Sequence, residues 1–147
     1  NMGRVNYGHK LLAESQHKGI RTGVCKDLHF MLHWKQYVLD FKHPEKIDFT
    51  KEWHEKQPAF YAFDVELKAL KDTYIDLTHF GKGIVFVNGV NIGRFWDVGP
   101  TLSLYIPHGL LRIGNNRIII FETEGKYSKF IHLVHKPTFK TIKGDKL

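Results

Sequence analysis

The sequence contains a single cysteine, Cys25, which excludes an internal disulfide and any cysteine-rich metal site. Set in Gly23-Val24-Cys25, the lone thiol is expected to be a small buried hydrophobe rather than a nucleophile. Arginine is also scarce. The formal charge is +7, but only 5 of the 22 basic residues are Arg. Base edges and phosphate forks are read best by guanidinium groups, and the lysines are dispersed, so no nucleic-acid partner is expected. The densest basic run, 136–146, reads as a frayed, solvated tail. No window approaches the roughly 18 consecutive apolar residues of a membrane-spanning helix, and nothing at the amino terminus resembles a signal peptide. Met2 need not be an initiator, and the sequence suits an excised piece of something longer equally well. These residues therefore leave the cellular compartment open.

Catalytic signatures are missing as well. There is no Gly-X-Ser-X-Gly elbow and no glycine-rich phosphate loop running from a strand into a helix. Of the ten histidines, His29/His33 and His132/His135 are suitably spaced pairs, but neither brings a nearby third ligand for a metal. No cofactor or metal is expected. Glu122/Glu124 and Asp64/Glu66 each lie two apart on a strand, so each pair shares a face. Both pairs are read as solvent-facing rather than as a glycosidase's pair of carboxyl groups, which requires one raised-pKa acid.

Short strands divided by turn signals, by contrast, are abundant. Ile84-Val85-Phe86-Val87 has the composition of a strand buried on both faces. It runs into Asn88-Gly89, a dipeptide suited to a type I′ turn whose two central residues need positive φ. A second strand, Val90–Trp96, follows. Gly99-Pro100 then breaks the chain before a third at Leu102–Ile106. Tyr61, Phe63, Val65 and Leu67 alternate with smaller or polar residues, as do Thr73, Ile75 and Leu77. Further strands are expected at Val5–Tyr7, Trp34–Phe41, Arg117–Glu124 and Phe130–His135, with a turn-rich connection at Leu110–Asn116. The polar interval His43–Pro58 reads as a mobile surface loop with a turn of helix at Asp48–Trp53. The fold class is all-β: an antiparallel β-sandwich or jelly roll.

The aromatic content of 14% is high, and Trp53, Phe95, Trp96 and Tyr105 are candidates for stacking on sugar rings. Packing in the core or against another domain is the simpler use. Strand alternation places Arg94 and Trp96 on one face and Phe95 on the other, in the core. Arg94 and Trp96, with Asn91 nearby, form the candidate site. A planar anchor beside a forked donor serves either domain docking or carbohydrate binding, and docking is the preferred reading.

Several of these segments carry a family resemblance. Asn1-Met2-Gly3-Arg4-Val5-Asn6-Tyr7-Gly8 resembles a motif of family-35 glycoside hydrolases, the retaining β-galactosidases. So does the order of Lys18-Gly19-Ile20, Trp34, Pro58–Tyr61, Asp72–Asp76, Gly81-Lys82-Gly83, Phe86–Trp96, Gly99-Pro100, Leu104–Pro107 and Asn116–Glu122. Phe95 and Thr101 depart modestly from the family's usual Tyr and Gln. The resemblance implies that the chain matches the carboxy-terminal β-rich region of such an enzyme. Residues 1–57 would be the end of a preceding small β domain with a crossover and polar loop. Residues 58–147 would be a galactose-binding-like jelly roll, the alternative being one compact unit with the rest. The catalytic glutamates of such enzymes lie on an amino-terminal (β/α)₈ barrel that this chain lacks. The implied role is non-catalytic: bracing that barrel, its partner within the same polypeptide, or shaping its rim. The alternative is an autonomous galactose-binding module whose partners are galactosides.

Overall fold

The computed structural model describes residues 23–35, 37 and 41–140. The chain divides into two compact units, residues 1–39 and residues 40–147. The Asn1–Gly8 motif, the Val5–Tyr7 strand and Lys18–Ile20 lie outside the described residues.

In the first unit, β1 (Cys25–Lys26) and β2 (His29–Phe30) form a short antiparallel hairpin. Its turn residues Asp27 and Leu28 both have positive φ. Cys25 is exposed, contrary to the expectation of a buried thiol. All four residues of this two-strand ribbon are exposed, and a ribbon of two short strands has no core of its own in which to bury the thiol. Trp34, Lys35, Tyr37 and Phe41 are not in a strand, and the rest of the Trp34–Phe41 segment lies outside the described residues.

The second unit is a sandwich of two antiparallel sheets. One contains β3 (Ala59–Leu67), β5 (Lys82–Val87), β6 (Val90–Trp96) and β8 (Gly114–Glu122), in the order β3-β8-β5-β6. The other contains β4 (Thr73–Asp76), β7 (Ser103–Ile106) and β9 (His132–Val134), in the order β7-β4-β9. Period-2 alternation turns Tyr61, Val85, Val87, Ile118 and Ile120 of the first sheet toward Ile75 and Ile106 of the second. Phe80 fills the middle of this core, with Phe63 and Phe95 edge-on to it.

The β5–β6 hairpin closes as its sequence dictates. Val87 pairs with Val90, and the two residues between them, Asn88 and Gly89, have φ values of 49° and 86°. Asn88 is more than a turn former. Its Nδ2 donates to the Leu110 carbonyl and to Oδ1 of the buried Asn116, while its Oδ1 accepts the Arg117 N–H. Asn116 in turn donates to the carbonyls of Arg112 and Gly114. Gly83 meets a different constraint. A Cβ there would lie 1.8 Å from the Phe121 carbonyl oxygen and 2.9 Å from the Phe95 ring.

Three expectations are corrected here. The helical turn of the polar interval lies at Pro44–Lys46, not at 48–53, because Pro44 starts a 3₁₀ turn and Asp48 Oδ1 is occupied by the Thr50 amide and hydroxyl. The strand expected from Arg117 begins at Gly114, since Asn115 and Asn116 pair with Glu66 and Val65. The basic tail is tied down as far as Lys140. Leu102 N–H donates to the Thr138 carbonyl, Thr138 N–H to Ser103 Oγ, and Lys140 N–H to the Pro100 carbonyl.

Candidate functional site

The outer face of a sandwich sheet normally meets water, yet the four-stranded sheet is apolar there too. Phe86 and Ile119 are 2% and 3% exposed although they point away from the core. They lie beneath an aromatic cluster. Phe60 stacks on Phe121 with centroids 4.4 Å apart, and Phe41 packs on Phe121, Phe60 and Phe86 at 5.3, 5.8 and 6.5 Å. Phe41 thus begins a third layer over the sheet.

That layer stops short of β6. A cavity of about 240 Å³ remains between Phe41, Ile84, Phe121 and Trp96, with Lys82 and Arg94 at its rim. Trp96 is 42% exposed and Phe95 4%, as the alternation of β6 requires. The Lys82 ammonium sits 4.6 Å from the centre of the Trp96 ring, a cation–π contact. No ion pair or hydrogen bond engages the Arg94 guanidinium among the described residues. Arg94 and Trp96 therefore share one apolar cavity with a cationic rim. Asn91 does not line it, and its Oδ1 accepts the Gly93 amide 2.8 Å away, within the bulged part of its own strand.

Glu122 corrects the reading of the paired carboxylates as solvent-facing. It is fully buried at the inner end of β8, following Ile118 and Ile120 along the core face. Its two oxygens accept backbone N–H groups from Gly81, Lys82, Glu124 and Lys126 at 2.9–3.2 Å. Donors converging on a group that only accepts make a structural clamp between the entry to β5 and the turn after β8. Glu124, in contrast, is exposed. Asp64 is exposed and pairs with Arg117 at 2.6 Å.

Elsewhere, Asp72 accepts the His108 backbone N–H and engages the His108 ring, both at 2.8 Å, on the exposed end of the three-stranded sheet. That backbone N–H, the Tyr105 hydroxyl and the His108 ring together lower its pKa to about 2. The bond to Asp72 correspondingly raises the Tyr105 pKa. Among the described residues, no group of three His, Cys, Asp or Glu side chains is placed to hold a metal ion. No helix among the described residues is long and apolar enough to cross a membrane.

A second cavity, also about 240 Å³, lies in the segment leading into β3 and is lined by Phe49, Trp53, Phe60 and the polar side chains around them. Sequence reasoning named Trp53 and Trp96, but it missed Phe41, Lys82, Ile84 and Phe121. The uninterrupted run Ile118-Ile119-Ile120-Phe121 was the available signal, because such a run belongs to a strand covered on both faces.

Residues 58–116 match the family described as the galactose-binding domain of beta-galactosidase. The chain is 34% identical over 148 residues to Beta-galactosidase 17 of Arabidopsis thaliana, covering 86% of this chain and 21% of that protein. It is 35% identical over 134 residues to Beta-galactosidase 1 of Dictyostelium discoideum, covering 84% and 19%. With the human Beta-galactosidase-1-like protein 2 the identity is 33% over 130 residues, covering 83% and 20%. The chain spans about a fifth of the length of these relatives.

Proposed function

We propose, on the premise that this chain carries at residues 58–116 the galactose-binding domain of the beta-galactosidase family, that it is a non-catalytic part of a longer beta-galactosidase. In this reading the parent polypeptide hydrolyses terminal β-galactosides with retention, on an amino-terminal barrel. The present chain braces that barrel or shapes its rim. The observation that carries the reading is the cavity beside Trp96. A sheet apolar on its outer face, left partly uncovered, with Lys82 and an Arg94 that has no ion-pair partner among the described residues, suits a protein surface that brings apolar side chains and a carboxylate. Glu122, the buried carboxylate among the described residues, is committed to backbone N–H groups and lines neither cavity.

Two measurements test this reading. The purified 147-residue chain is expected to release no chromophore from a chromogenic β-galactoside, whereas the longer polypeptide does. Turnover by the short chain that a carboxylate substitution within it abolishes would overturn the non-catalytic assignment. Oxidative footprinting of the longer polypeptide should show Trp96 protected relative to the short chain, with Arg94→Glu removing that protection. A hot-spot Trp or Arg typically contributes more than about 1 kcal/mol to such a contact. If Trp96 is equally reactive in both, this face is not the docking surface.

A further inference from the structure

The two sides of the sandwich are closed differently. On one side β6, the last strand of its sheet, lies against β7. The β6 edge is bulged against β5, and Asn91 Oδ1 takes its Gly93 N–H. Beyond β7, Leu102 N–H donates to the Thr138 carbonyl and Thr101 pairs with Phe139. The other side is formed by β3 and β9. β9 is only three residues long, but β3 runs for nine, in unbroken register with β8 and without Pro, Gly or bulge. Pairing with β8 engages the backbone groups of alternate β3 residues and leaves the rest pointing away from the sheet. Among the described residues, no backbone hydrogen bond reaches that free edge.

This open side is apolar as well. Phe63, Val65 and Leu67 point inward like Tyr61 yet are only half-buried, as are Ile131 and Leu133 on the β9 side. A third cavity, about 180 Å³, lies between Leu67 and Leu133. Ala69 and Leu111 also line it, together with the polar Lys71, Asp72, Thr73 and His135. The charges on β3 are Asp64 and Glu66, both exposed on the outer face. Asp64 pairs with Arg117, whereas no hydrogen bond or ion pair engages the Glu66 side chain among the described residues.

We propose that β3 is completed by strand addition: one extended segment of the longer polypeptide, from outside these 147 residues, pairs with its free edge. A long, regular edge is a template for another strand, and folds otherwise shorten, bulge or cover such edges. The segment's inward residues are apolar and cover Phe63, Val65 and Leu67. Its alternate residues include Lys or Arg opposite Asp64 and Glu66. A second copy of the chain suits the edge less well. Nine residues span about 30 Å, and a strip about 10 Å deep buries about 600 Å² over both partners. That is below the about 1,000 Å² of a stable contact between separate molecules. Two copies would also bring together net charges of +7 each. A segment tied to the same polypeptide meets the edge at high effective concentration, so a narrow strip suffices. The proposal rests on the reading that the chain, about a fifth of the length of its relatives, is part of a longer polypeptide. It does not require the docking face at Trp96.

Hydrogen exchange, read residue by residue in the 147-residue chain and in the longer polypeptide, tests it. In the short chain, alternate amides of Ala59–Leu67 should exchange fast while those bonded to β8 stay slow. In the longer polypeptide the fast set should slow by about a hundredfold or more, toward the rate of the β8-bonded set. Glu66→Lys alters an exposed side chain on which no described contact depends, and should leave the melting of the short chain unchanged. In the longer polypeptide it should speed exchange of the newly protected set about two- to fivefold, the effect of a like-charge cross-strand pair. Slow exchange at every β3 amide of the short chain would overturn the proposal, as would equal exchange in the two polypeptides. A concentration-dependent dimer of the short chain in sedimentation would overturn it in favour of a second copy. An unaltered rate in the Glu66→Lys variant would overturn the basic character assigned to the segment. Footprinting of Trp96 in the same samples separates the two readings. Trp96 protected beside a fast β3 edge leaves docking intact and sinks strand addition, and the reverse sinks docking alone.

Discussion

The two sheets of the sandwich solve the same packing problem differently. In the three-stranded sheet, β4 alternates as one face in and one face out: Thr73 and Ile75 are buried, Tyr74 and Asp76 half-exposed. Its outer face ends in Tyr105 and His132, both open to solvent. In the four-stranded sheet, β5 and β8 bury both faces, Val85 and Val87 inward with Phe86 outward, and Ile118 and Ile120 inward with Ile119 outward. An antiparallel sheet with one wet face is complete as it stands, whereas a sheet apolar on both faces requires another layer. Phe41, packed on Phe60 of the sheet, begins that layer, and the Trp96 cavity marks where it ends. The difference teaches that the sandwich was built to be covered on one side only.

Substitutions can break or sharpen this contrast. The largest effect should come from Glu122→Ala, which strands four backbone N–H groups at the buried end of β8. Each unsatisfied donor costs about 1–3 kcal/mol, so a loss of about 4 kcal/mol or more is expected in chemical denaturation. Glu122→Gln should recover part of this, because one of its oxygens is kept while its amide nitrogen confronts N–H donors. If Glu122→Ala costs less than a typical surface change, the clamp does not hold the sheet.

The second test addresses the outer faces directly. Phe86→Ala removes an outward yet buried ring and should cost about 3 kcal/mol, a value at the lower end for Phe because the third layer is thin. Tyr105→Ala, on the exposed outer face of the three-stranded sheet, should cost far less. Equal losses would mean that the two outer faces are equivalent after all. A smaller effect is expected at the β5–β6 turn. Gly89 has φ 86°, and a Cβ there meets nothing within 4 Å, so Gly89→Val pays only the conformational penalty, about 1–2 kcal/mol. An unchanged melting temperature would mean that the turn does not set the register.

Much of this architecture was legible in the sequence, for reasons that also explain the rest. The period-2 pattern of Tyr61–Leu67 and the Asn88-Gly89 turn depend on nearest neighbours along the chain, and both stand where expected. The burial of Phe95 beside exposed Arg94 and Trp96 follows from the same alternation. Glu122 was misread because a carboxylate two residues from another looks like a solvent face. Its donors come from Gly81 and Lys82, about forty positions away, and no local pattern reports them. Phe41 was placed in a strand on composition, but what fixes it is the stacked pair Phe60–Phe121, a contact between strands remote in sequence. The Trp53 cavity was hidden for the same reason, since the Tyr61 hydroxyl and the Tyr127 ring that orient the indole lie outside its segment.

The smallest effect should be at the polar end of the three-stranded sheet, where Asp72 ties the approach to β4 to the turn after β7. Its pKa is lowered from 3.8 to about 2, first by the His108 backbone N–H and then by the Tyr105 hydroxyl and the His108 ring. A carboxyl group with a lowered folded-state pKa stabilises the fold above its unfolded pKa. That contribution fades as pH falls from about 4 through about 2. Because the group is exposed, solvent screens the interaction and the gain is small. Asp72→Asn should therefore be slightly less stable than the parent near neutrality, with the gap closing across that acid window in pH-dependent melts. Parallel curves for the two proteins from pH 5 to pH 2 would show that the Asp72 bonds do not contribute to the stability of the three-stranded sheet.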